Sequence, residues 1–155
     1  MGRPDWHVYF MEIATVVATR STCDRRHVGA VIVRDKTILS TGYNGAPAGF
    51  PECDGVGHQL VDVGGRPSCI RTAHAEANAI AQAARNGVAV EGATVYTTSS
   101  PCYECMKLIV NSGIKHVVFG EEYDSRGGLS KTACDLMLSV GITVLSLQNG
   151  KAPTT

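Results

Sequence analysis

Two short segments constrain this chain more than any other feature: Thr72-Ala73-His74-Ala75-Glu76 and, further along, Ser100-Pro101-Cys102-Tyr103-Glu104-Cys105. Zinc takes thiolates and imidazole in a tetrahedron, and a catalytic zinc keeps three protein ligands so that its fourth corner can hold water. His74, Cys102 and Cys105 supply such a set. Pro101 favours the first turn of a helix, so Cys102 and Cys105 fall one turn apart on one face, close to the helix N-terminus that stabilises thiolates. Glu76 lies two positions beyond His74 and on a helix projects differently, which suits a proton shuttle beside the bound water. A lone Cys-x-x-Cys leaves a structural zinc knuckle or a redox pair open. The ordered occurrence of both halves favours catalysis, because a structural zinc needs four protein ligands and no glutamate beside the histidine.

The rest of the chain reads as an α/β domain. Phe10, Ile13, Ala14 and Val17 recur at helical spacing over residues 5–20, with Pro4 and Asp5 as the start. Residues 28–33 and 38–43 flank the polar link Arg34-Asp35-Lys36-Thr37 in a hairpin pattern. A small-residue helix over 72–86, ended by Gly87, carries His74 and Glu76 at its start; strands are expected over 93–98, 116–120 and 142–147, and helices over 102–111 and 129–140. Strand, crossover helix and strand imply parallel pairing. The expected architecture is a five-stranded mixed sheet with helices on its faces, residues 1–147 forming one domain and 148–155 a flexible tail.

Residues 49–70 show no periodicity, and so long a stretch without structure needs something to staple it. Cys53, His58 and Cys69 lie there, and Cys23 ends the first helix; together they offer a closed Cys3His zinc site. Buried free thiols and an exposed His58 fit the spacing equally well. His27 reads as a surface residue and Cys134, beside Leu136 and Met137, as a core thiol.

The H-x-E and P-C-x-x-C halves resemble the signature of zinc-dependent nucleobase deaminases. Phe10-Met11-Glu12-Ile13-Ala14, Arg20-Ser21-Thr22-Cys23, Gly42-Tyr43-Asn44-Gly45-Ala46-Pro47-Ala48-Gly49, Cys53-Asp54 and Cys69-Ile70-Arg71-Thr72-Ala73-His74-Ala75-Glu76-Ala77-Asn78-Ala79-Ile80 are similar to deoxycytidylate deaminases. The resemblance implies the three-layer α/β/α fold of cytidine deaminases and hydrolysis of dCMP to dUMP and ammonia, feeding thymidylate synthesis. It implies a water activated by zinc for attack at C4, Glu76 protonating N3 and then the leaving amine, backbone at Ala73 and Ser99 holding the base edge, Asn44 on the sugar and Tyr123 on the phosphate. Arg26 is a further phosphate candidate. Many such proteins are homohexamers activated by dCTP and inhibited by dTTP, with Mg2+ on the effector. That regulation implies a nucleotide on Gly42, Tyr43, Asn44, Gly45, Ala48 and Gly49, with Arg85 linked to it; a plain turn and a solvated helix-end cation are the simpler readings of those segments. Relatives carry cysteines at the positions of Cys23, Cys53 and Cys69 and commonly a fourth where His58 stands, which supports the second zinc, with His27 as the alternative ligand.

Charge and composition exclude other classes. Fourteen basic residues balance fourteen acidic ones, so there is no broad cationic face for a polynucleotide, and three Phe with one Trp are few for base stacking. A tRNA or single-stranded DNA deaminase is thereby disfavoured, and an intact Glu76 disfavours a catalytically dead nucleotide sensor. No apolar run of signal-peptide or membrane-spanning length appears, and six cysteines alongside metal-type spacing fit a reducing cytoplasm.

Overall fold

Asp5 starts the first helix, α1 (Trp6–Ala18), by accepting a hydrogen bond from the His7 backbone N–H on its side chain. This computed structural model describes residues 2–124 and 129–147, with the side chain of Leu129 left aside. After α1 come β1 (Gly29–Arg34), β2 (Thr37–Tyr43), the short α2 (Cys53–Val56), β3 (Leu60–Val63), β4 (Arg66–Cys69), α3 (Ala75–Arg85), β5 (Thr94–Ser99), α4 (Tyr103–Asn111), β6 (His116–Glu121), α5 (Leu129–Ser139) and β7 (Thr143–Ser146). The expected tail at 148–155 lies outside the described residues.

One five-stranded sheet has the order β2-β1-β5-β6-β7. β1 is antiparallel to both β2 and β5, while β5, β6 and β7 run parallel, so the sheet is mixed as expected. β1 and β2 join through Asp35 and Lys36, whose φ angles of 51° and 60° give the turn that matches strand twist.

Alternation along the strands sorts their side chains into two cores. Ala30, Ile32, Val95 and Val117 face α3, α4 and α5, packing with Ala79, Met106, Ile109 and Met137. Val31, Val33, Tyr96 and Val118 face α1, packing with Phe10, Met11 and Ala14. The result is three layers, with one helix on one face and three on the other. Two glycines set the layer spacing: a Cβ on Gly29 would run into the Ala14 carbonyl and Ala18 amide of α1, and one on Gly42 into the Ala75 carbonyl and Ala79 amide of α3. Gly42 is therefore a packing residue of β2, which corrects the expectation that it offers open backbone to a nucleotide.

Residues 49–70 also differ from expectation. They hold α2 and a β3–β4 hairpin turned by Gly64 and Gly65, with φ of 63° and 81°. The Gly-Gly pair between two short strands is a hairpin signal in itself, but an almost wholly exposed hairpin has no apolar alternation to announce it. Among the described residues no helix is long and apolar enough to cross a membrane.

Candidate metal centre and nucleotide cleft

The His74 backbone stands just before α3 as its N-cap, and Cys102 does the same for α4, where its sulfur accepts from the Cys105 N–H. Two helix starts thus meet at the carboxyl end of β5, the position at which parallel α/β sheets place their sites. His74 Nδ1 lies 3.3 Å from Cys102 Sγ and 3.6 Å from Cys105 Sγ. With Zn–S of about 2.3 Å and Zn–N of about 2.0 Å, a tetrahedron needs N···S edges of about 3.6 Å, so this donor set fits zinc. The Cys105 thiol hydrogen-bonds Cys102, which draws the Cys102 thiol below its ordinary range despite burial; the same bond and burial push Cys105 up. One sulfur is already poised as thiolate, and a dication would displace the proton held by the other.

Glu76 is 4 % exposed and lies on the same cleft. Burial pushes its carboxyl up, against the opposing pull of His74 and of the Thr97 hydroxyl, which donates to Oε1 at 3.0 Å. A carboxyl whose burial favours its protonated form is suited to taking and returning a proton. Thr97 is fully buried in β5 and was not foreseen, because a strand threonine looks like any β-former.

The cleft has a volume of about 820 Å3. Also lining it, the Arg26 guanidinium sits 3.5 Å over the Tyr123 ring, bonds Ser99 Oγ through Nε and an Nη, and pairs with Glu121 at 2.9 Å. Ser100 Oγ accepts from the Tyr123 N–H and so fixes the start of that loop. Asn44 also lines the cleft; its Oδ1 accepts from the Ala75 N–H and its Nδ2 donates to the Arg26 carbonyl. Ala73 differs from its expected part: its N–H and C=O both pair with Gly45 across a β-bridge, so they are engaged before any base edge arrives.

The second cluster also assembles. Cys23, Cys53 and His58 place their ligand atoms within 4.8 Å of one another, and Cys69 Sγ lies 3.8 Å from Cys53 Sγ. Cys23, Cys53 and His58 thus offer three metal-type donors with Cys69 beside Cys53, and the opposite ring nitrogen of His58 is held by Asp24 at 2.8 Å, as metal-bound histidines usually are. Burial opposes ionisation of Cys69, but the amides of Arg71, Gln59 and Thr72 outweigh it and, with His58, draw the thiol down to about 6. His27 is exposed and outside the cluster, and Cys134 packs partly buried against the larger core.

The 42–49 segment begins at the end of β2 and runs on from it. Glu52 ties it down, accepting from the Ala46 N–H at 2.8 Å and from the Thr22 hydroxyl, and Gly49 takes a φ of 91° in open space. Arg85 ends α3, whereas Gly42 packs beside Ala75 and Ala79 near its start. Six to ten residues of helix, about 9–15 Å, separate Arg85 from those contacts.

Residues 4–121 match the family model of the cytidine and deoxycytidylate deaminase zinc-binding region. The chain belongs to the cytidine and deoxycytidylate deaminase family. It is 45 % identical over 130 residues to the deoxycytidylate deaminase of Mycobacterium phage D29, covering 79 % of this chain and 99 % of that one. It is 42 % identical over 144 residues to ComE operon protein 2 of Bacillus subtilis, covering 93 % and 72 %. The crystal structure of the dCMP deaminase from cyanophage S-TIM5 in complex with dCMP and dUMP superposes with a TM-score of 0.77 at 28 % identity, covering 94 % of this chain and 99 % of that one. The matched span contains His74, Glu76, Cys102 and Cys105.

Proposed function

We propose that this family member is a zinc-dependent dCMP deaminase, converting dCMP and water to dUMP and ammonia. The observation that carries the reading is that His74, Cys102 and Glu76 line one cleft together with Arg26, which lies over Tyr123. The cleft thus offers a pyrimidine site and an anion site in one space. The names of the D29 and S-TIM5 proteins and the dCMP and dUMP bound to the latter support the substrate.

Zinc held by His74, Cys102 and Cys105 would supply an activated water at neutral pH. The chain's own residues then do the following. Glu76 takes a proton from the incoming water and delivers it to N3 of the pyrimidine as the oxygen adds at C4; it then takes the remaining proton from that oxygen and passes it to the exocyclic amine, which leaves as ammonia as the C4 carbonyl forms. Thr97 fixes the carboxyl by its hydroxyl, and Asn44 closes the cleft beside the sugar. Arg26, stacked on Tyr123, meets the phosphate by exchanging its bond to the exposed Glu121.

The reading extends to a structural zinc on Cys23, Cys53, His58 and Cys69, to a homohexamer, and to activation by dCTP with Mg2+ and inhibition by dTTP. The test is ammonia release from dCMP, CMP, deoxycytidine and dCTP, each with and without added dCTP and Mg2+, on protein of determined zinc content. Sigmoidal turnover of dCMP that dCTP renders hyperbolic is the expected result. Hyperbolic turnover without effector would keep the enzyme and remove its regulation; silence on all four substrates would overturn the reading.

A further inference from the structure

Two arginines outside the expected site face the same cleft. Arg25 and Arg66 line it together with Arg26, and Glu76 is the sole carboxylate among the described lining residues. Arg66 opens β4, immediately after the Gly64-Gly65 turn, and Arg25 lies two residues after Cys23, more than forty positions away in the chain. The Arg25 guanidinium reaches across to the Pro67 carbonyl at 3.1 Å and so holds the hairpin beside the cleft. The hairpin is an exposed pair of short strands, which is marginal as a free element. What holds it is the second cluster: Cys69 ends β4, and Cys23, Cys53 and His58 gather around it from three other places in the chain.

We infer that the β3–β4 hairpin is the phosphate-recognising wall of the cleft, with Arg66 and Arg25 forming beside Arg26 a clamp for the 5′-phosphomonoester that the Cys23/Cys53/His58/Cys69 cluster holds in register. This rests on the reading of the cleft as a nucleotide deaminase site. A phosphomonoester carries up to two negative charges, and it must enter a cleft that already holds the Glu76 carboxyl. One arginine paired with Glu121 offers less than one free positive charge; two further guanidinium groups supply the remainder and present planar donors matched to phosphate oxygens. The second cluster therefore has a role in specificity, since its ligands flank both added arginines.

The test compares the intact zinc-loaded protein with Arg66→Gln and Arg66→Lys, using dCMP and deoxycytidine as substrates at low and high salt. Arg66 is exposed, so its replacement leaves the fold in place. Arg66→Gln is expected to raise KM for dCMP about tenfold, the effect of one charge-assisted hydrogen bond, with kcat nearly unchanged. Turnover of deoxycytidine should not change, Arg66→Lys should restore part of the loss, and added salt should narrow the difference. Inorganic phosphate, as a competitor, should inhibit the wild type more strongly than Arg66→Gln. Equal losses on dCMP and deoxycytidine, or no loss on either, would overturn the clamp while leaving the deaminase standing. If the wild type does not turn over dCMP, the deaminase reading fails, and calorimetry with dUMP and deoxyuridine still decides the clamp. A preference for dUMP that shrinks in Arg66→Gln supports it, and a preference that does not shrink removes it.

Discussion

The two cysteine–histidine clusters are built from similar donors and differ in everything around them. His74, Cys102 and Cys105 come from two helix starts at the end of one strand, and a buried glutamate shares their cleft. Cys23, Cys53, His58 and Cys69 come from separate stretches, Cys53 opening α2 and Cys69 ending β4, and among the described residues no glutamate is grouped with them. Three ligands leave a corner for water, whereas four close the shell. On the proposed reading a metal at the first cluster would serve the chemistry and one at the second would hold chain segments together, so damage to each should appear in a different measurement.

The largest expected effect is on turnover. Glu76→Gln keeps the shape of a buried side chain and removes its ability to carry a proton, so kcat should fall by a factor on the order of 10² to 10⁴. Zinc content, measured on the same protein, should remain at two per chain. Turnover that survives the change would show that the two clusters do not divide the work in this way.

Next in size is stability. Cys53→Ser opens the closed shell and leaves the hairpin held only by bonds such as Arg25 to Pro67, so the melting temperature should drop by on the order of 10 °C. Cys102→Ser should abolish turnover with a much smaller change in melting. Equal melting losses in the two variants would collapse the distinction.

How far these differences can be read from sequence follows from the same contrast. The first cluster was legible because its residues lie inside local signals: Pro101 and the helix starts fix where Cys102, Cys105 and His74 point. Strand patterning likewise announced the five-stranded sheet, since β1, β2, β5, β6 and β7 contribute their apolar residues to the two cores. The second cluster could be named only as one choice among several, because nothing local brings Cys23 to Cys69. Gly42 belongs to a glycine-rich stretch that suggests phosphate binding, and only the packed α3 reveals that its missing side chain makes room for a helix. Arg25 and Arg66 had no signal, since surface arginines are common and only the folded hairpin puts these two on one cleft.

A third prediction compares the two ends of the 42–49 loop. Gly42→Ala forces a methyl group into α3 and should cost about 1–3 kcal/mol, read from denaturant unfolding. Because α3 carries Glu76, turnover should fall with it. Gly49→Ala meets no neighbouring atom within 4 Å and suffers only from its φ of 91°, so the cost should be about 1 kcal/mol, with basal turnover retained. A larger loss at Gly49 than at Gly42 would contradict the packing assigned to the first glycine.

The smallest effects concern the neighbours that orient each cluster. Asp24 holds the outer nitrogen of His58 from an exposed position, and Thr97 holds Glu76 from the core. Asp24→Ala should weaken zinc at the second cluster by about tenfold in a chelator competition, the lower end of what such partners contribute, while turnover at saturating zinc stays the same. Thr97→Val removes one neutral hydrogen bond worth about 1 kcal/mol and should slow turnover about fivefold with both zincs retained. The pair forms a mirror test: one variant changes metal affinity without rate, the other rate without metal. If Asp24→Ala slowed the reaction at full zinc occupancy, the second cluster would reach the chemistry through His58 itself, and its effect could no longer be assigned to the hairpin it holds.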